Sequence, residues 1–172
     1  MKRLSSGSYA MNSARRFLST DNLRLLCHSL VHSHLSYGTI PWGAAYHYKL
    51  HRLEVIQKRC IRNVCNVSCN EHTSPLFRKL AILKLEDIYI LQLCKLMYSY
   101  VHDKLSTPRF TMFSTNAEIH EYNTRQRSGQ HVQKHLTFIH QGPKLWTTLS
   151  PELRIKNSSK SFTNCLKRHL IT

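Results

Sequence analysis

The stretch LEDIYILQLCKLMYSYV, residues Leu85–Val101, decides the fold of this chain. At about 100° per residue, its apolar and aromatic side chains cover almost the whole circumference of a helix, and Lys84, Gln92, Lys95 and Ser99 leave only a narrow polar strip. A helix that is apolar nearly all round is either buried or placed in a membrane. Spanning a bilayer takes about 20 mostly apolar residues, and Gln92 and Lys95 interrupt this run. The stretch therefore predicts a central core helix that amphipathic segments on both sides cover.

The segment from about Tyr46 to Val64 predicts one of these amphipathic helices. Its apolar stripe consists of Leu50, Leu53, Cys60, Ile61 and Val64. Gln57 lies in the middle of the stripe, where we expect a buried hydrogen bond between helices, because a buried amide without a partner costs several kcal/mol.

The chain contains few residues that break helices, with five Gly and five Pro among 172 residues. We therefore predict an all-α fold: a helical bundle around one central apolar helix, with a long basic loop and a C-terminal helix pair. The bundle would occupy residues 1–103. Residues 104–141 show no sustained period and would form a basic loop or connector. Residues 142–172, beginning at Gly142-Pro143, would form a C-terminal helical segment that packs on the bundle.

The composition is strongly basic, with 25 Lys and Arg against nine Asp and Glu and a formal net charge of +16 at pH 7. Such an excess indicates a polyanionic partner, either a nucleic acid or an anionic membrane surface. The N-terminus lacks the apolar run of a signal peptide, and several of the six cysteines fall on apolar helix faces. We expect a reduced intracellular protein, nuclear or cytoplasmic, with no membrane partner.

Basic residues gather on the side of the Tyr46–Val64 helix that lies opposite its apolar stripe. They are Lys49, Arg52, Lys58, Arg59 and Arg62. Glu54 is expected to point towards the apolar flank, whereas surface helices held by salt bridges normally alternate in sign. Phosphate contact and a solvated charged face both stay open. Arg125 and Arg127, beside Tyr122, suit a single strand bound through charge and stacking, with a solvated loop as the alternative.

Four potential zinc ligands lie close together in the sequence, namely Cys60, Cys65, Cys69 and His72. Their spacing fits no ordinary knuckle or finger, which place paired ligands about two to four residues apart. We interpret them as loop and core residues, and we expect no metal and no cofactor.

His34 lies on the apolar face predicted for the helix from Thr20 to Tyr37. We interpret it as a buried histidine bonded to a carbonyl, because no Ser or Cys nucleophile has a neighbouring pattern that would recruit it. Trp42 and Trp146 are interpreted as core anchors rather than base-stacking platforms. No catalytic residue is predicted.

Five short motifs follow one another along nearly the whole chain. They are LVHSHLSYG at 30–38 with Trp42-Gly43, LEVIQKRCIR at 53–62, SPLF at 74–77, YNTR at 122–125 and GPKLW at 142–146. In this order they resemble the C-terminal region, thumb and post-polymerase, of reverse transcriptases from jockey-like non-LTR retrotransposons. Each motif is short, and their shared order carries the resemblance.

The resemblance implies a thumb-like bundle at residues 1–103, whose helices would lie along a template–primer duplex, and an upstream palm domain as a partner. Polymerisation by two metal ions needs converging carboxylates. The family's Ala-Asp-Asp-type box has no match here, and the only adjacent acidic pair is Glu86-Asp87. We therefore expect a non-catalytic fragment of an RNA-directed DNA polymerase that contacts RNA or DNA duplex through phosphates, independently of sequence.

The last two landmarks depart from the family. Trp146–Pro151 lacks the family's Asn after the Trp, and Phe162–Lys167 lacks a lysine of the final helix. These departures suit a decaying or repurposed copy. The alternative function is therefore a protein-interaction or structural remnant, or a relic open reading frame, without nucleic-acid binding.

Overall fold

The computed structural model describes residues 2–43, 45, 47–102, 104, 138–156 and 158–171. Of these residues 79% are helical, and none of them lies in a strand. The predicted all-α class is therefore confirmed. None of the helices in these ranges is both long enough and apolar enough to cross a membrane.

Ten α-helices and one π-helical turn make up the described chain. They are α1 Lys2–Ala14, α2 Thr20–Cys27, the π-turn His28–His32, α3 Ser33–Ser36, α4 Thr39–Gly43, α5 His47–Cys65, α6 Ser74–Leu80, α7 Leu85–Val101, α8 Phe138–Thr148, α9 Pro151–Arg154 and α10 Ser159–Ile171. The stretch predicted as the core helix is α7. Helix α8 begins before Gly142 and contains Pro143, so the C-terminal helical part starts earlier than the sequence indicates. The predicted connector falls largely outside the described residues.

Helix α7 is the most buried helix of the core. Eight of its 17 residues are buried, namely Leu85, Ile88, Tyr89, Leu91, Leu93, Cys94, Met97 and Tyr98. Helices α3, α4 and α5 pack on it from the N-terminal part of the chain, and α8 and α10 pack on it from the C-terminal part. Glu86 and Asp87 lie in its first turn, where carboxylates interact favourably with the helix dipole.

Helix α1 packs against both α5 and the π-turn. A Cβ at Gly7 would stand 3.3 Å from both the Cβ and the backbone oxygen of Leu30, so the absence of a side chain permits this approach. Asn63 Nδ2 on α5 donates to the backbone oxygen of Ser8 at 3.5 Å. These contacts place the first turns of α1 beside α5.

The π-turn changes which residues of the N-terminal segment face the core. The buried positions are Leu23, Cys27, Val31, Leu35 and Thr39, a repeat of four residues. The predicted burial of His34 is wrong, since His34 is exposed, and Tyr37 is 84% exposed. The backbone N–H of Ser33 bonds to His28 O, an i→i+5 bond. Such a turn holds more residues than an α-helical turn and rotates the residues after it.

An aromatic cluster joins α7 to the C-terminal helices. The ring of Tyr98 stacks on Phe162 with centroids 4.6 Å apart, and Trp146 lies edge-on at 6.4 Å. The Tyr98 hydroxyl donates to the backbone oxygen of Lys156 at 2.5 Å. Trp42 and Trp146 both pack against the buried core, so their interpretation as core anchors is confirmed.

Candidate nucleic-acid interface

Helix α5 turns one face towards the core and the other towards solvent. Cys60, Ile61 and Val64 on the inner face are fully buried. Gln57 Nε2 donates to the backbone oxygen of Leu83, just before α7, at 2.9 Å. The predicted buried hydrogen bond of Gln57 is confirmed, although its acceptor lies in a connection rather than in a helix. These contacts fix the rotation of α5 about its axis and so the direction of its basic face.

Three of the five predicted basic residues of α5 are exposed. They are Lys49, Arg52 and Arg59. From Lys49 to Arg59 the helix advances about 15 Å at about 1.5 Å per residue. This length of cationic surface suits several phosphates of one strand, which follow one another about every 3.4 Å along a duplex axis.

The other two predicted cations have contacts within the chain. Lys58 Nζ lies 4.0 Å from Oε2 of Glu54, and His51 Nδ1 lies 3.9 Å from the same oxygen. The side chain of Glu54 is only 14% exposed, in agreement with the expected direction towards the apolar flank, but its Oε2 still reaches Lys58. Arg62 Nε donates to the backbone oxygen of Glu71 at 3.0 Å, which ties α5 to the loop that follows it.

A groove of about 610 Å³ lies between α1 and α5. Its lining residues are Lys2, Ser5, His51, Arg52, Val55, Ile56 and Arg59. Lys2 thus adds a cation from α1 to those of α5. Sequence reasoning missed Lys2 because no local pattern links the first turn of α1 to α5. The available signal was limited to Gly7 and Ser8, small residues that contact Leu30 of the π-turn and Asn63 of α5.

Tyr48 adds an aromatic ring to the exposed surface of α5. Its side chain is 69% exposed, and Lys49 Nζ lies 5.8 Å from the ring centroid. This distance is within the range of about 6 Å for a cation–π contact. An exposed aromatic ring beside cations is a typical element of surfaces on which nucleic-acid bases stack.

The second predicted basic group, Arg125 and Arg127 with Tyr122, lies outside the described residues. The candidate site is therefore built from α1 and α5 alone.

The cysteines give no metal site in the part of the chain that the structure describes, where no group of three or more His, Cys, Asp or Glu side chains is placed to hold an ion. Burial, and secondarily the charge of Cys60, raises the pKa of Cys27 to about 12. Burial also raises the pKa of Cys60 itself. A zinc ligand is a thiolate, so these two core thiols are poor ligands. The absence of stoichiometric zinc stays a prediction.

A mostly apolar cavity of about 470 Å³ lies between α4, α7 and α8. The hydroxyl of Tyr89 donates to Oε1 of Gln141 at 2.8 Å beside it, and burial raises the pKa of Tyr89. Trp42 and Leu145 form part of its wall. A ligand in this cavity would find apolar packing surface and hydrogen-bonding groups, and the raised pKa favours the protonated form of Tyr89.

Comparison of the chain with known protein families, with curated proteins and with solved structures gave no match.

Proposed function

We propose that this chain is a non-catalytic, nucleic-acid-contacting helical domain of a retrotransposon RNA-directed DNA polymerase, equivalent to its thumb and post-polymerase region. The main support is the row of exposed cations Lys49, Arg52 and Arg59 on α5, with Lys2 of α1 in the adjoining groove. A polyanion is the natural partner of a chain with a formal charge of +16. Contacts to phosphates position a duplex without reading its sequence.

The assignment to this class of polymerase rests on the order of the five sequence motifs. The proposal includes a thumb-like bundle at residues 1–103 organised around α7, a connector, and a C-terminal helical segment that packs on the bundle. The packing of α8 and α10 on α7 supports this arrangement. An upstream palm domain is the proposed protein partner, and no membrane partner is proposed.

The proposal assigns no reaction to this chain. Glu86 and Asp87 lie side by side in the first turn of α7, and burial raises the pKa of Asp87. A raised carboxyl pKa weakens metal binding, because the ligand must be deprotonated. Two-metal phosphoryl transfer needs several carboxylates around the ions. Primer extension by the purified chain with Mg²⁺ would contradict this part of the proposal.

A protein-interaction role is the second candidate. Several large apolar side chains are exposed, among them Phe17 at 86%, Tyr37 at 84% and Leu25 at 69%. Exposed apolar residues mark interaction sites when they form a contiguous patch, whereas scattered ones are ordinary. Salt-dependent binding to a duplex separates the two functions, because only the first predicts it.

The test removes the three exposed cations together, as Lys49→Gln, Arg52→Gln and Arg59→Gln. Each neutralised phosphate contributes about −0.9 to the slope of log affinity against log salt concentration on duplex DNA. We expect the triple variant to flatten this slope by about 2–3 units and to lose affinity equally for all sequences. Its melting temperature should hardly change, since exposed charges contribute little to stability. Anisotropy of a labelled template–primer duplex over a salt series measures the slope.

A second triple variant gives the matched control. Lys156, Lys160 and Lys167 are exposed residues of the C-terminal segment, and their change to Gln removes the same charge. We expect this control to alter the slope by less than about 1 unit. An equal effect of both variants would indicate diffuse attraction to a basic chain. Unchanged binding in the folded α5 triple variant would overturn the proposed function and favour the protein-interaction role.

A further inference from the structure

We propose that the groove between α1 and α5 holds an unpaired nucleic-acid strand, and that a duplex reaches only the rim of this groove. The inference rests on the proposed function and specifies the form of nucleic acid that the same surface selects.

The dimensions of the groove favour a slender ligand. The axes of two packed helices lie about 8–10 Å apart. A DNA duplex is wider than this gap, since its major groove alone measures about 12 Å. A duplex can therefore rest on the outer cations but cannot descend between α1 and α5 to Val55 and Ile56. The volume of about 610 Å³ falls within the range of roughly 300–1,000 Å³ found for pockets that enclose small molecules, which leaves room for a nucleotide of a single strand.

The lining of the groove combines the two kinds of group that complement a nucleotide. Lys2, Arg52 and Arg59 supply positive charge, and Val55 and Ile56 supply apolar surface between them. A nucleotide combines an anionic phosphate with a base whose faces are apolar. Proteins that bind single strands combine a charged groove with surfaces on which bases stack. A duplex keeps its bases stacked inside and would leave the apolar part of this lining unused.

The position of Tyr48 supports the same ligand. Tyr48, Arg52, Val55 and Arg59 follow at intervals of four, three and four residues, and this spacing places them in one line along a helix. The exposed ring of Tyr48 thus lies at one end of the line of residues that forms the α5 side of the groove. Loss of one base stacked on an aromatic ring weakens single-strand binding by about fivefold or more.

A pair of neighbouring serines allows a sharp test. Ser5 lines the groove and Ser6 does not, and both are exposed on α1. Ser5→Glu therefore places a carboxylate in the groove, whereas Ser6→Glu adds the same charge to the same helix outside it. Anisotropy titrations would use a short labelled oligothymidine strand and a labelled duplex of equal length, at one salt concentration.

We expect Ser5→Glu to weaken single-strand binding by roughly tenfold, because a carboxylate facing phosphates is strongly unfavourable. Ser6→Glu should change it by less than about twofold, since exposed charges away from the ligand are screened by salt. Duplex binding should respond weakly and equally to both variants. Tyr48→Ala should weaken strand binding by more than about fivefold and leave duplex binding unchanged.

Three results would overturn the inference. The first is an equal effect of Ser5→Glu and Ser6→Glu on the single strand. The second is an equal loss of strand and duplex binding in Ser5→Glu. The third is competition by inorganic polyphosphate or by thymidine monophosphate as effective as that by oligothymidine, since the groove would then hold a bare polyanion or a free nucleotide. If the α5 triple variant flattens the salt slope while the two serine variants behave alike, only this inference fails and the proposed function stands.

Discussion

Gly43 and Tyr89 set how closely α4 approaches α7. A Cβ on Gly43 would overlap Cδ2 of Tyr89 and stand 3.0 Å from Cγ of the same ring. Tyr89 is buried, and its hydroxyl bond to Gln141 at 2.8 Å holds the ring between α4 and α8. The ring therefore cannot move aside without losing packing and a hydrogen bond.

We expect Gly43→Ala to lower the free energy of unfolding by about 1–3 kcal/mol, the usual cost of adding a methyl group to a packed core. A decrease in the free energy of unfolding would indicate the steric contact, because alanine within a helix is otherwise favoured over glycine by about 1 kcal/mol. Urea denaturation followed by circular dichroism gives the change in free energy.

A double-mutant cycle isolates the contact with the ring. In a Tyr89→Leu background the methyl group added at position 43 meets a smaller and more flexible side chain, so Gly43→Ala should cost less there by at least about 0.5 kcal/mol. Additive effects of the two substitutions would contradict a steric contact between them.

For single residues, the sequence allowed side-chain contacts to be predicted only where a general physical rule requires or favours them. The bond of Gln57 was predictable because a buried amide needs a partner. The approach of Lys58 to Glu54 was also within reach, since the two are four residues apart and i,i+4 side chains are neighbours on a helix. The place of Lys2 in the α5 groove was not predictable, because it depends on how α1 packs.

The π-turn shows where helical periodicity fails as a guide to burial. A period of 3.6 residues predicts a buried face made of Leu23, Leu26, Cys27, Leu30, Val31, His34 and Tyr37. In the structure Leu23, Cys27 and Val31 are buried as predicted, and Leu26 and Leu30 pack against the core. Beyond the π-turn, however, Leu35 takes the buried position, while His34 and Tyr37 are exposed. The extra residue of the π-turn rotates everything after it, and no residue type in His28–His32 signals a π-turn. This error does not affect α7, because a helix that is apolar nearly all round turns apolar side chains towards the core whatever its rotation about its axis.

Two histidines of the π-turn lie in a basic environment. The ring centroids of His28 and His32 are 5.2 Å apart. Burial, then the charges of Arg24 and Lys167, lower the pKa of His28. Burial, then the charges of His28 and Lys167, lower the pKa of His32. Both rings are thus held in the neutral form by their surroundings.

This arrangement predicts that acid destabilises the fold. The unfolded chain binds protons on these histidines at their ordinary pKa of about 6.5, whereas the folded chain resists protonation until a lower pH. The contribution of these two histidines to the free energy of unfolding is therefore fully present above about pH 6.5. It is lost as the pH decreases through that value towards the lowered pKa. In urea titrations, a variant carrying His28→Gln and His32→Gln should lose part of this dependence on pH.

Lys167 allows a control that tests whether the charge near His28 and His32 causes the loss of stability in acid. Lys167→Gln removes a cation that acts on both rings and should reduce the loss of stability in acid. Lys160→Gln removes the same charge from another exposed position of α10 and should leave the dependence on pH unchanged. Equal behaviour of the two variants would show that net charge, rather than this cluster, controls the response to acid.

One buried cluster extends through the described parts of the chain, from Leu4 in α1 through α7 to Leu166 in α10. The all-α class was predictable because the chain contains few helix-breaking residues and its apolar residues recur at helical spacing. Which helices pack on which face was not predictable, since amphipathic stripes show that a face is buried but not against what. The cluster has a consequence for unfolding: parts of the chain that share buried contacts should lose their structure together.

Phe162 tests this coupling, because it carries α10 into the shared core. It is fully buried, and its ring lies 4.6 Å from Tyr98 and 5.9 Å from Trp146, measured between centroids. Phe162→Ala should lower the free energy of unfolding by about 3–5 kcal/mol, whereas Ile155→Ala, at a side chain that is 73% exposed, should change it by less than about 0.5 kcal/mol. In a Trp146→Phe background Trp42 is the sole tryptophan and reports on the N-terminal helices. Its fluorescence transition should shift to lower urea with Phe162→Ala and coincide with the circular dichroism transition. A Trp42 transition that stays in place while part of the helical signal is lost would show that residues 138–171 unfold as a separate unit.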